Sequence, residues 1–381
     1  MGFSSPKTFR NFSICANSLV KSLNWLVNLM IDLLTYHRAP TKADLEGFYE
    51  VCRFLNIPYE ILDFREEYET KVLHYIYESY LKGITPNPDV LCNTEVKFKL
   101  FLDEALRMGY DMIAMGHYAQ IQLPVTSYQL PVMTMDQTLR NRKQVAGNRK
   151  LLRWLDNLKD QSYFLAGLDQ FQLSKALFPI GWLHKTEVRK IALDIWLPNA
   201  ERKDSQWLCF VWNVAMSDFL RSKIGIKPGN IMLADGMIVG RHDWAYQFTI
   251  GQRKGLKLNF QAYVTDIDIV SNVVVVTKDE QDDMLFRTRF ALRSMHWISW
   301  EQPSLPLECK CKVRYRQDLQ DCTVTSYQLG LWPSELPVTS QIIIHTKNPQ
   351  KGVPNWQICV LYGGSDYNEV LGCGEIGGTD L

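Results

Sequence analysis

The chain has 381 residues, of which 46% are hydrophobic and 22% charged, with a formal net charge of +1. That length and balance exclude a short disulfide-stapled scaffold, a disordered chain and a collagen-like repeat, and they fit two or three packed domains. The near-zero net charge means that any nucleic-acid contact has to come from local basic patches.

The nine cysteines are odd in number and widely scattered, which predicts no disulfide framework and a reducing, cytoplasmic setting. Cys309 and Cys311 form a lone C-x-C; in a strand both face one side, and one such pair does not fill a tetrahedral metal site. No metal site is predicted. The most apolar early stretch, Leu19 to Leu34, is broken by Lys21, Asn24, Asn28 and Asp32. It reads as an amphipathic helix, not a membrane span or a signal peptide.

Taken in chain order, residues 42 to 56 place Leu45, Phe48, Val51, Cys52 and Leu55 at helical spacing. Ile57 to Leu62 reads as a turn into a short strand, and Glu66 to Lys82 as a second helix. Gly83-Ile84-Thr85-Pro86-Asn87-Pro88-Asp89 predicts a rigid loop, because two prolines and a glycine oppose regular structure. Thr94 to Met108 has the apolar face of a third helix, and Met112 to Met115 is fit for a buried parallel strand. Helices alternating with short apolar strands predict an α/β domain. Beyond about residue 210 strands take over, including Tyr263 to Ile267 and Val273 to Thr277. From about residue 290, Cys311 to Tyr315, Gln341 to His345 and Gln357 to Tyr362 suggest a small β-barrel. The domains are accordingly drawn at 1–211, 212–285 and 286–381. Val125 to Leu130 recurs as Val324 to Leu329, and Leu123 to Ser127 as Leu336 to Ser340. With no fixed period, these copies read as insertions in surface loops.

The residues that could carry chemistry follow. Cys92 comes after the Pro-Asn-Pro-Asp loop and just ahead of the third helix, where the helix dipole and unpaired N–H groups favour a thiolate. Asp89, three residues earlier, is near enough for acid–base work. A plain core cysteine remains an alternative for Cys92, and for Cys209 within Lys203 to Phe210. Lys159 to Leu165 could be a helix cap or a phosphate contact. Gly251 to Leu256 could be a phosphate-binding turn or an exposed hairpin.

Together, Gly83 to Asn93, Val96-Lys97-Phe98, Gly116-His117-Tyr118-Ala119, Lys159 to Leu165, Phe178 to Gly181, Lys203 to Phe210, Thr249 to Leu256, Arg314 to Gln317 and the Gln357 region resemble the tRNA-specific 2-thiouridylase family (MnmA type). The resemblance runs from about residue 41 to the C-terminus. It implies an α/β domain of the adenine nucleotide alpha-hydrolase type with an incomplete parallel sheet, a small central domain and a C-terminal β-barrel. It also implies ATP-dependent sulfur transfer to C2 of a tRNA wobble uridine. Cys209 then corresponds to the persulfide carrier, and Cys92 to the partner that releases the sulfur and ends in a disulfide with it. Asp89, Asn87 and Pro88 match the loop that holds the base, Gly116 an ATP contact, and His117 a tRNA-facing position. Lys159, Asp160, Gln161, Arg314, Tyr315 and Gln357 match tRNA contacts. The implied partners are tRNA and a sulfur-donor protein, with ATP and Mg2+ as cofactors and a monomer without membrane attachment.

The sequence departs from the family in two ways. The family's Ser-Gly-Gly-Val-Asp-Ser loop, which cradles ATP phosphates on backbone N–H groups, has no counterpart: ahead of Gly83 the only glycines are Gly2 and Gly47. Residues 1 to 40 match nothing in the family's pattern. In addition, Trp154, Trp207, Trp244 and Trp356 stand where the family usually has glycine. These departures make a tRNA-binding relic that does not bind ATP the alternative function. A dithiol redox protein using Cys92 and Cys209 is a third.

Overall fold

The computed structural model describes residues 42–82, 84, 86–123, 149–156, 159–202, 220, 221, 223, 225–328 and 340–378. The predicted early helix at Leu19 to Leu34, the repeat copies at 125–130 and 336–339, and Cys209 lie outside the described residues.

Helix α1 (Lys42–Leu55) turns Phe48, Val51 and Cys52 inward. It stops at Asn56, whose φ of 51° closes the helix while the Ile57 N–H donates back to the Cys52 carbonyl. The segment from Ile57 to Leu62 is not the expected strand. Among the described residues no backbone runs beside it, and Tyr59 instead packs its ring on Phe48 and Tyr49. Helix α2 covers residues 65–81, with one wide π-wound turn at Glu69–Leu73. Helix α3 covers residues 88–107, with a π-wound stretch at Cys92–Leu100. Pro88 is its first residue, ahead of the Thr94 start that the sequence suggests. A proline there costs nothing, because that N–H has no partner in a helix anyway.

Strand β1 (Ile113–Ala114) lies parallel to β4 (Ala176–Leu177), pairing Ile113 with Ala176 and Ala114 with Leu177. This pair is what the described residues contain of the predicted parallel sheet. Between them come the antiparallel β2 (Gln120–Gln122) and β3 (Lys150–Leu152) and helix α4 (Gln170–Ser174); helix α5 (Lys185–Asp194) follows.

The central domain is a sheet of β5 (Gly229–Leu233), β6 (Ile238–His242), β7 (Tyr263–Asp268) and β8 (Val273–Thr277) in the order β6-β5-β8-β7. Its apolar positions alternate as a half-buried strand requires: Val274 and Val276 are buried with Ile231 and Val264.

Six strands then close into a barrel in the order β13-β10-β11-β12-β9-β14, and β13 pairs back onto β14. They are β9 (Phe286–Trp297), β10 (Leu307–Lys312), β11 (Gln320–Gln328), β12 (Ser340–Lys351), β13 (Ile358–Gly363) and β14 (Glu369–Gly378). Closure leaves no barrel edge exposed. Cys309 and Cys311 share the inner face, as their spacing predicts, and the Cys309 sulfur lies 3.6 Å from that of Cys322. Among the described residues no group of three potential ligands is arranged to hold a metal ion.

The barrel is continuous with the α/β domain. Strand β3 pairs with β14, matching Leu151 with Val370. One core unites Val90, Phe98, Leu102, Leu151, Tyr163 and Phe171 with Ile358, Val360, Tyr362 and Val370. Among the described residues no helix is long and apolar enough to cross a membrane.

Candidate functional site

The site starts at the first turn of α3. The Asn87 side chain caps that turn by accepting from the Val90 N–H, and Pro88 fixes its first residue. Asp89 is therefore held in the first turn and Cys92 one turn further in, on neighbouring positions of one helix face. Cys92 is thus inside the helix and not ahead of it. Its thiol is 2% exposed and packs among Tyr68, Val72, Leu73, Ile76, Val96 and Tyr246. Burial raises the Asp89 carboxyl above the usual carboxylate range, and the Lys97 ammonium partly offsets that.

Asn93 ties this turn to the next segment: its amide donates to the Asp89 carbonyl at 2.9 Å and to the Phe164 carbonyl at 3.2 Å. Within that segment, Asp160 is almost wholly buried. It accepts from the Trp154 and Ser162 N–H groups at 3.0 and 3.1 Å and pairs with Arg153 at 3.4 Å. Gln161 and Tyr118 exchange two hydrogen bonds, both 2.9 Å, so Gln161 pins the strand of chain that carries Gly116 and His117. Lys159 begins the same turn and is partly exposed. Gly116 lies two residues beyond β1, past the carboxyl end of the parallel pair, where open α/β sheets bind ligands. His117 is buried between the rings of Phe98 and Phe178. Burial, reinforced by Lys97, keeps it neutral by pushing its pKa well below the ordinary histidine value.

The barrel contributes the far wall. The sequence places Arg314 and Tyr315 in a strand, but β10 ends at Lys312 and they stand in the following turn. Gln317 closes that turn, its side chain accepting from the Val313 N–H and its N–H donating to the Arg314 carbonyl. Freed from the sheet, Tyr315 lays its ring against Phe164 with 4.3 Å between centroids, near enough to Asp89 and Asp160 to feel both charges. Arg314 donates to the carbonyls of Ile250 and Gly352 at 3.1 and 2.6 Å. Gly352, at φ 61°, leaves the room this needs: a Cβ there would lie 2.5 Å from the guanidinium. Gln357 precedes β13 and its carbonyl accepts from the Ile376 N–H. The Tyr163 hydroxyl donates to the Ile358 carbonyl at 2.7 Å and lies in hydrogen-bond reach of Asn87.

The fold therefore brings Asn87, Pro88, Asp89, Asp160, Gln161 and Tyr315 together, with Gln357 one residue from the Tyr163 anchor, while Cys92, one turn on from Asp89, faces the core shared with α2. Arg314 reaches the central domain instead. Sequence reasoning missed the buried cations Lys97 and Lys312 and the anchor Tyr163. A lysine in a helical pattern reads as a solvated face, and only packing shows it facing inward.

Family models match this chain along almost its whole length. The tRNA methyl transferase HUP domain matches residues 21–213, the tRNA methyl transferase PRC-barrel domain residues 217–278, and the aminomethyltransferase beta-barrel domain residues 287–376. The chain is 36% identical over 326 residues to the tRNA-specific 2-thiouridylase MnmA of Alkaliphilus oremlandii, covering 84% of this chain and 81% of that protein. It is 37% identical to the proteins of the same name from Shouchella clausii and Stenotrophomonas maltophilia, covering 84% and 87% of this chain and 80% of each relative. The chain belongs to the tRNA-specific 2-thiouridylase family. The first model's match begins at residue 21. The reading that residues 1 to 40 match nothing in the family is therefore corrected for residues 21 to 40. The family's three-part architecture, an α/β domain followed by two small β domains, agrees with the fold described above.

Proposed function

We propose that this member of the family transfers sulfur to C2 of a uridine in tRNA, with Cys209 carrying the persulfide and Cys92 completing its release. One observation carries the reading: segments far apart in sequence, around Asn87, Asp160, Tyr163, Tyr315 and Gln357, converge beside the helix that holds Cys92. In this reading Asn87, Pro88 and Asp89 hold the base, and Asp89, whose carboxyl burial pushes upward, moves a proton at the uridine oxygen. Lys159, Asp160, Gln161, Arg314, Tyr315 and Gln357 hold or shape the tRNA surface, and His117 supports that wall from inside. ATP, when bound near Gly116 with Mg2+, supplies a leaving group for an oxygen that otherwise leaves poorly. The sulfur atom attached to Cys209 forms the new bond to C2. The Cys92 thiolate then attacks the inner sulfur of Cys209 and breaks its bond to the outer sulfur, which keeps the electron pair and stays on C2, so that the two cysteines end as a disulfide. The sulfur arrives from a persulfide-bearing donor protein, and the chain works as a cytoplasmic monomer.

A second reading is favoured by the sequence itself. Ahead of Gly83 the sequence holds only two glycines, Gly2 and Gly47, and in this reading the protein binds tRNA without turning it over. The test is to incubate the full chain with tRNA, ATP and a persulfide donor and to measure 2-thiouridine by mass spectrometry, with ATP binding measured alongside. Thiolation by the wild-type chain that is lost in Cys92→Ser, with tRNA binding retained, is the expected result. Salt-dependent tRNA binding with neither ATP binding nor thiouridine would leave only the second reading.

A further inference from the structure

The stretch of α3 that begins at Cys92 is wound wider than an α-helix, and the Phe101 N–H reaches back to the Val96 carbonyl. Wide turns of this kind are rare and cost hydrogen-bond quality, so they persist where something outside the helix holds them. Here one side chain from outside bonds to the carbonyls of the stretch itself. The Gln172 amide donates to the Thr94 carbonyl and to the Phe98 carbonyl, both at 3.0 Å, and so spends both of its N–H bonds on the wide stretch. Its oxygen accepts from the Asp169 N–H at 3.0 Å, and its own N–H donates to the Asp169 carboxylate at 2.7 Å. That reciprocal cap starts helix α4 and locks the Gln172 rotamer. Gly167, five residues earlier, lets the same segment lie against α3: a Cβ there would stand 2.9 Å from the Thr94 hydroxyl.

The wide winding has a consequence for the thiol. Cys92 and Val96 face the core shared with α2, whereas Val90 before them and Phe98, Phe101, Leu102 and Ala105 after them face the core shared with the barrel. The winding between them sets the angle between those two faces. An α-helical stretch of the same residues would turn Cys92, and the Asp89 turn just ahead of it, to a different azimuth relative to Phe101, Leu102 and Ala105 and the barrel core they face.

We infer that Gln172 is a positioning residue for Cys92, clamping the two carbonyls of the wide turn so that the thiol keeps its place beside the site. The inference rests on the reading of Cys92 as a reacting thiol, and its test separates the two. Gln172→Glu keeps the helix cap, because glutamate serves as well as glutamine in that role, but removes both donors from α3. Gln172→Met removes cap and clamp without adding charge. In both variants the alkylation rate of Cys92 by iodoacetamide, followed by mass spectrometry on the full chain, is expected to change by about tenfold to a hundredfold, the upper figure being the cost of misplacing a positioned group by about 1 Å. Cys309 and Cys322 in the barrel should alkylate at the wild-type rate. For thiolation, kcat should fall about tenfold while KM for tRNA holds. Gln172→Glu with wild-type Cys92 alkylation and wild-type kcat would overturn the inference and leave Gln172 a helix cap. If wild-type protein makes no thiouridine, the proposed function fails but the alkylation comparison still decides the role of Gln172.

Discussion

Tryptophan occupies backbone seats in this protein that suit glycine. Trp196 follows α5 at φ 59°, with its N–H donating to the Leu193 carbonyl and the next N–H reaching the Ala192 carbonyl. That is the glycine position of a helix-ending motif. Its indole is 83% exposed, so little packing offsets the left-handed backbone. Trp196→Gly should therefore raise stability by about 1 kcal/mol, read as a higher urea midpoint at unchanged slope. Trp356 has the same backbone problem at φ 69°, but Arg293 stacks over its ring at 4.5 Å. Trp244 is extended at φ −174°, and Trp154 is buried against Tyr118 with its indole N–H on the Leu183 carbonyl. Substitution for glycine thus means strain at one site and filled space at another, and sequence cannot sort them. Asp160 is the opposite kind of residue, a buried carboxylate on which two backbone N–H groups and Arg153 converge. Asp160→Ala should cost about 3–5 kcal/mol, because it strands buried donors and a cation. Circular dichroism in urea would read it, and a loss under 1 kcal/mol would show that the network is dispensable.

At the scale of elements, α3 was half legible. Its apolar face and its proximity to a proline turn can be read from the residues. Its start cannot, because Pro88 as loop and Pro88 as first helical residue look alike in sequence. Neither can its wide winding, which depends on Gln172 arriving from 70 residues or more away. Asn87→Ala removes the cap and should cost about 1 kcal/mol of stability while fraying the Asp89 turn. Faster amide exchange in the peptide covering residues 88–92, with barrel peptides unchanged, would check that the loss is local. The turn after β10 makes the same point. A β-rich pattern extends through Tyr315, yet Gln317 closes a turn at Val313 and sends Tyr315 to the site.

The α/β domain and the barrel share a core and a strand pair, so the two are expected to unfold together. Its pH response should therefore appear in global unfolding. Burial holds His117 neutral when folded, whereas the unfolded chain takes up a proton as pH falls through about 6.5. The unfolded state binds more protons below that point, so stability falls as pH drops, by up to about 1.4 kcal/mol per pH unit for this group. His242, also lowered by burial, adds a slope of the same sign. The buried carboxyls of Asp89 and Glu375 are raised and act in the opposite direction at more acidic pH. Unfolding free energies for wild type and His117→Phe between pH 5 and 7 should diverge in slope; parallel curves would show that His117 is protonated in the folded state.

Taken alone, the sequence determined the family, the three-part architecture, two of the four strands of the central sheet and the shared face of Cys309 and Cys311. These depend on ordered motifs and on local periodicity, which are properties of neighbours in the chain. Only the tertiary structure decided that β3 joins the barrel, that Arg314 clasps the central domain, and that Lys97 and His117 are buried side by side under Asp89. Such facts depend on which distant backbone fills the space beside a residue, and periodicity carries no record of that.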